Sequence, residues 1–325
     1  MPDAHRRRVA RTWLAVVVAN AAAWSASCRS EEKSAADDAV DVGAIPIVDV
    51  APIYLGKQKG FFSQRNIDLT ITPGQGGAAT IPGVVSGQFQ FGFANVSSLL
   101  VARDKGLPLK VLTSGVSSTG QAGKDFGAVV VPADSPIQSA RDLAGKTVSV
   151  NQLNNIGTTT IRASVRKDGG DPGAVKFVEM PFPDAPAALE KKRIDAAWVV
   201  EPFLTRTLSG GARVVAWNFV DAAPNLTVAV YFTTEATLSS KADLVKRFTD
   251  AMNESLSYAQ SHPDEARDIL KTYTKIPPEM IAKITLPVWP SQVNRESLQT
   301  IARLALEDGL IAKPADLEAL LSATH

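Results

Sequence analysis

The sequence predicts an α/β fold of two lobes, each a mainly parallel sheet flanked by helices, the two joined by a pair of crossing segments. Three observations carry that reading. From Ile45 onward, short β-branched runs alternate with segments of helical periodicity, the order that builds parallel sheets with helices on both faces. The plan is laid out twice. Shifting the chain by about 105 residues sets IPGVVSGQFQFGFANV over PAALEKKRIDAAWVVE, and in each a short helix leads into a strand. Two further runs flank the second copy: FGAVVVPADSPIQSARDLAGKTVSV precedes it and LTVAVYFTTEATL follows it. They read most simply as paired crossings between the lobes.

In the first copy, IPIVDV reads as a strand and PIYLGKQKGFF as a helix ending near Gly60. IDLTITP is the next strand, TIPGVVSG a short helix and FQFGFANV a strand. SSLLVARDKG is a helix with Ser97 or Ser98 as N-cap, and LKVLTSGV closes the set. In the second copy KTVSVN is a strand, and residues 157–168 form a helix that Gly169-Gly170 stops. VKFVEMP, the short helix DAPAALEKK and the strand DAAWVV follow. The C-terminal part is helical: Leu244, Phe248, Met252 and Leu256 recur every four residues and define one apolar face. Residues 128–226 are therefore expected to form an inserted second lobe, and residues 44–127 and 227–325 the first.

The N-terminus is set apart from the fold. Arg6, Arg7, Arg8 and Arg11 precede the apolar run WLAVVVANAAAW, which is too short to span a bilayer comfortably. Residues 1–27 read as an export signal, placing the mature chain outside the cytoplasm. The arginine run weakly resembles a twin-arginine signal, and the choice between the two export routes stays open. SASC resembles a lipobox, with Ser25 where leucine is usual, so Cys28 is a candidate for lipidation. RSEEKSAADDAVDVG is polar and aperiodic, and residues 28–43 read as a flexible tether to the membrane.

Composition narrows the chemistry. The formal net charge of +1 leaves no footprint for nucleic acid. Cys28 is the only cysteine, so no intrachain disulfide is possible. Of three histidines, His5 lies in the signal, His262 stands before Pro263 and His325 ends the chain. None has the setting of a metal ligand or a catalytic triad, so no metal, no cofactor and no nucleophile–histidine chemistry is expected. ARDLAGKT (140–147) imitates a phosphate loop. It runs from helix to strand, however, the reverse of the order that places amides around a phosphate.

Ligands of open α/β sheets sit beyond the carboxyl ends of the strands. Those ends carry Asp49 to Pro52 before Tyr54, the GQGG turn at 74–77, Asn95 to Ser98, Asn151 to Thr159, Pro181 to Asp184, and Glu201-Pro202-Phe203. Glycines there admit close backbone approach, and helix-start amides favour an acceptor or an anion. Glu201 ends a buried run and is expected to face a ligand at the cleft; the alternative is a carboxylate that bonds nearby amides and sets its own loop.

GKTVSVN through VKFVEMPFPDAPAALEKKRIDAAWVVEPF resembles the solute-binding proteins of the nitrate, sulfonate and taurine importer family, which includes binders of the thiamine-pyrimidine precursor. PIYLGKQKGFF, GGAATIPGVVSGQFQFGFANVSSLL and GLIAKPADL match the same pattern. The resemblance spans nearly all of residues 45–320. It implies a type II periplasmic-binding-protein fold, a hinge, a small-molecule solute, and delivery to an ABC permease and its ATPase by a monomer on the outer side of the membrane. It implies ligand contacts from Asp49, Tyr54, Gly76, Gly77, Asn95, Ser97, Asn154, Asn155, Gly157, Thr158, Pro183, Asp184 and Glu201. Two alternatives stay open: a metabolic enzyme of the same fold, of the pyrimidine-biosynthesis type, and a sensory binding module. No lysine or arginine stands at a strand end, whereas Asp49, Asp184 and Glu201 are acidic. That balance tilts the ligand from nitrate, sulfonate or taurine towards a neutral or nitrogen-rich solute such as a pyrimidine.

Overall fold

The computed structural model describes residues 37–321. Among them are ten strands in two five-stranded sheets. The first sheet holds β1 (Asp38–Ala44), β2 (Ile67–Pro73), β3 (Phe91–Asn95), β4 (Leu109–Ser117) and β10 (Thr227–Thr234), in the order β2-β1-β3-β10-β4. The second holds β5 (Gly127–Val131), β6 (Thr147–Val150), β7 (Lys176–Glu179), β8 (Ala196–Val200) and β9 (Arg213–Ala216), in the order β7-β6-β8-β5-β9. Each sheet is parallel except for one strand: β10 runs antiparallel to β3 and β4, and β5 antiparallel to β8 and β9. Both odd strands lie inside their sheet, and both are buried along their whole length. The predicted α/β class with mainly parallel sheets is borne out.

Helices cover these sheets. In chain order they are α1 (Ala51–Lys59), α2 (Gly77–Val85), α3 (Val96–Asp104), α4 (Ile156–Lys167), α5 (Ala185–Glu190), α6 (Phe203–Ser209), α7 (Asn218–Ala222), α8 (Glu235–Ser240) and α9 (Ala242–Ser261). The C-terminal region adds α10 (Pro263–Asp268), α11 (Pro278–Ile281), α12 (Arg295–Glu307) and α13 (Leu317–Leu321). The four-residue stripe of α9 is buried throughout. Phe248 stacks on Phe91 of β3 at 3.9 Å between ring centroids, so the longest helix is fixed to the middle of the first sheet. Aromatic stacking of this kind adds to the area the rings bury.

Four expectations are corrected. IPIVDV is not a strand: Val48–Val50 forms a 3-10 turn leading into α1, and the strand lies earlier, at 38–44. Pro46 offers no amide to a ladder, while Val40 and Val42 alternate inward and pair in parallel with β2. The tether expected over 28–43 therefore gives way to sheet from Asp38. Asp38 looked like part of a solvated leash, but its carboxylate pairs with Arg247 of α9. Third, the two runs read as crossings do not pair with each other; they are β5 and β10, one in each sheet. The chain passes between sheets through 118–126 and 217–226. Fourth, the cap of α3 is Asn95, whose side chain accepts from Ser98 N, not Ser97 or Ser98. The export signal and Cys28 lie outside the described residues.

Candidate functional site

The carboxyl ends of strands from both sheets meet around a small cavity of about 40 Å³. Residues after β1 and β2 (Asp49, Gly76, Gly77) and the end of β3 (Phe93 to Asn95) line it from one side. Asn151, Ile156, Phe182, Trp198 and Phe219 line it from the other. Four aromatic rings thus form much of the wall. Trp198 stands edge-on to Phe182 and Phe219, with centroids 5.2 and 5.9 Å away. Gly157 opens α4 beneath the indole: a Cβ at that position would come within 2.4 Å of the ring. Gly76 has φ of 135°, and a Cβ there would meet the Gln152 amide oxygen at 2.5 Å. Only glycine permits both the dihedral and the approach.

Amide side chains close the cleft. Asn95 Oδ1 accepts from Ser98 N on its own helix at 2.9 Å and from Ile156 N on α4 across the cleft at 3.3 Å. Gln152 Oε1 accepts from Ala78 N at 3.1 Å, and Asn151 Nδ2 donates to Gln75 O at 3.3 Å. Ser97 and Thr159 hydroxyls lie 3.3 Å apart over the same seam. Near the rim, Arg166 of α4 pairs with Asp308, just after α12.

Asp49 is the acidic residue of the cavity. It is buried, and Oδ1 has no hydrogen-bond partner. Burial pushes its carboxyl up to about 8; its own backbone N–H opposes the rise and the nearby Asp125 carboxylate adds to it. Tyr54, Tyr231 and Tyr273 complete the surrounding titratable groups; burial raises all three phenols, and Asp49 adds to the rise of Tyr231 and Tyr273. None of the residues lining the cavity, all among the described residues, carries a cationic side chain.

Of the thirteen residues expected at the site, Asp49, Gly76, Gly77 and Asn95 line the cavity. Tyr54 instead stacks on Tyr273 at 3.9 Å. Asn154, Pro183 and Asp184 are exposed, Asn154 in a left-handed turn. Asn155 is spent as the cap of α4, accepting from Gly157 N and Thr158 N, while Thr158 bonds back to Asn155. The helix-start amides expected to be free for a ligand are therefore occupied. Ser97 lies in the seam described above. Phe182, Trp198 and Phe219 are not among the expected contacts; Phe182 carries the signal of an aromatic just beyond a strand end, in PFPD, whereas Trp198 lies inside β8 and Phe219 inside α7.

Glu201 is corrected most sharply. The expectation of a carboxylate facing the cleft fails because the residue is only 1% exposed. Oε1 accepts from Thr205 Oγ1 at 2.7 Å and from Thr285 N at 3.1 Å, and Oε2 from Thr205 N at 3.0 Å. Its backbone N–H donates to Phe126 O and its carbonyl accepts from Val48 N. Burial raises the carboxyl; the bonds from Thr205 and Thr285 pull it back. Glu201 thus ties its loop to a crossing segment and to the C-terminal region.

A family model described as NMT1/THI5 like matches residues 47–266. The chain belongs to the NMT1/THI5-like family. This NMT1/THI5-like chain is 25% identical over 261 residues to the riboflavin-binding protein RibY of Chloroflexus aurantiacus, covering 78% of this chain and 70% of that one. Its fold is shared by the periplasmic aliphatic sulphonate-binding protein SsuA of Escherichia coli, with TM-score 0.71, 19% identity, and coverage of 87% and 97% of the two chains. It is shared also by the periplasmic nitrate-binding protein NrtA of Synechocystis PCC 6803, with TM-score 0.70, 15% identity, and coverage of 87% and 84%. The two-lobed fold is that of the periplasmic binding proteins.

Two predictions follow from the acids. Glu201→Gln places an N–H2 against one of the donors that the carboxylate now accepts from. Loss of one buried, charge-assisted bond costs about 1.5–3 kcal/mol, so a cooperative but lower thermal transition is expected; an unchanged melting temperature would show that the bonds carry no stability. Asp49 works in the opposite sense to a salt-bridged acid. Its folded value of about 8 lies well above the ordinary carboxyl value of 3.8, so the unfolded chain releases the proton first. The stability it contributes is full at low pH and is lost as pH rises towards about 8. Asp49→Asn should gain stability relative to wild type between pH 5 and pH 8 in chemical denaturation; a pH-independent difference would refute the shift.

Proposed function

We propose that this chain is the extracytoplasmic solute-binding subunit of an ABC importer. It captures a small solute between its lobes, closes, and is received by a permease driven by its ATPase. The observation that carries the reading is the cavity itself: apolar and aromatic walls with few polar groups, lined from both sides by strand ends. Such concave, mostly apolar sites are where small molecules bind. Membership of the NMT1/THI5-like family supports it, as does likeness to proteins whose names record riboflavin, sulphonate and nitrate binding.

The two sheets act as the two jaws, and 118–126 and 217–226 as the hinge. A solute that touches both jaws binds the closed form better than the open one and shifts the population by that difference in affinity. The bonds of Asn95, Asn151 and Gln152 across the seam then add to closure. Residues 1–27 export the chain, and lipid on Cys28 holds it, as a monomer, at the outer face of the membrane.

Two experiments test this. Adding a true solute at about 100 times its dissociation constant should stabilise the protein by roughly 2.7 kcal/mol and reduce its radius of gyration in solution scattering; a profile that stays the same at saturation removes the closing cleft. For the anchor, Cys28→Ala should move the mature protein from the membrane fraction to the soluble one. Retention of the variant in the membrane would eliminate lipidation at that residue.

A further inference from the structure

We propose that Asp49 and Trp198 form a two-point selector across the cleft, which admits a small ring-bearing solute without negative charge and rejects anions. The proposal rests on the solute-binding reading above.

Asp49 Oδ1 and Trp198 Nε1 are both buried without a hydrogen-bond partner, and each residue is 3% exposed. Both residues line the cavity, one from the loop after β1 and the other from β8 in the opposite sheet. Buried polar atoms without partners are uncommon, and each costs free energy. A solute that presents an acceptor to the indole N–H and a polar group to the carboxyl recovers both costs at once. It does so only when the lobes are together, because the two atoms come from different lobes. The pair therefore couples recognition to closure. Around it the wall is Phe93, Phe182, Phe219 and aliphatic side chains, a surface that favours a flat ring.

Charge decides what is rejected. An anion in this cavity would stand beside a carboxyl with no cationic side chain on the wall. Of the amides that open α3 and α4, those of Ser98, Ile156, Gly157 and Thr158 are already bonded to Asn95 and Asn155. A buried anion without a counter-charge carries most of its desolvation cost. At neutral pH the raised Asp49 carboxyl is protonated, and a protonated acid can both donate and accept towards an uncharged partner.

The test uses three probes of one ring size on the purified protein: benzamide, toluene and benzenesulfonate, titrated by calorimetry at pH 7. Benzamide should bind at least about tenfold more tightly than either of the others, since toluene leaves both polar atoms unpaired. Trp198→Phe keeps a ring and removes the N–H; Asp49→Ala removes the carboxyl. Each variant should melt cooperatively and lose the preference for benzamide over toluene, a change that a merely structural role would not produce. Benzenesulfonate binding as tightly as benzamide, or variants that keep the preference, would overturn the selector and leave solute capture standing. Failure of wild type to bind any of the three would overturn the selector and count against capture in this cavity as well.

Discussion

The molecule closes on one small group, the amide oxygen of Asn95. Two helices begin at the seam with backbone N–H groups that cannot be satisfied within the helix. Asn95 Oδ1 takes one from each: Ser98 N in its own lobe and Ile156 N in the other. A single acceptor thereby caps one helix and docks the start of a second. Gln152 and Asn151 repeat the device in the reverse direction, from the second lobe towards the first turn of α2 and the loop before it. The seam is built mainly from neutral amides and hydroxyls, whose bonds are individually modest, with the Arg166–Asp308 ion pair at its rim.

Of two acids expected at the cleft, one lines it and the other is drawn away from it. Glu201 follows a buried strand and precedes a proline, the position of a side chain presented to a cleft. It is drawn inward because three donors, two from Thr205 and one from Thr285, converge on it. Asp49, expected at the end of a strand, stands in a 3-10 turn. With no donors converging on it beyond its own amide, it keeps an oxygen for the cavity. What separates the two is the supply of donors, a property of the folded neighbourhood and not of the residue.

That contrast also marks what was legible. Periodicity revealed the parallel framework, because β-branched runs such as TVSV and AAWVV and the stripe on α9 have no other stable arrangement. It also pointed to the right loops, since strand ends face one another in any fold of this class. It missed β1, where two aspartates disguise a strand whose inward residues are valines. It missed β9 and the short helices α6 and α7, which are too brief to show a period. Within the right loops it chose polar residues, whereas the cavity wall is mostly apolar, with four aromatic rings. Asn155 and Thr158 were plausible from chemistry alone, but capping consumes them before any solute arrives.

The placement of β10 has a consequence for how the chain is assembled. It occupies the gap between β3 and β4 in the first sheet, yet it follows the whole second sheet in the chain. Until residue 234 has been made, β3 and β4 face each other across an empty lane, with bare ladder groups on both sides, an edge open to wrong partners. The second sheet has no such debt, because its own antiparallel strand β5 comes first. Biosynthetic order and spatial order thus run opposite in the two lobes: the inserted lobe is self-sufficient early, and the one that begins the chain is finished last.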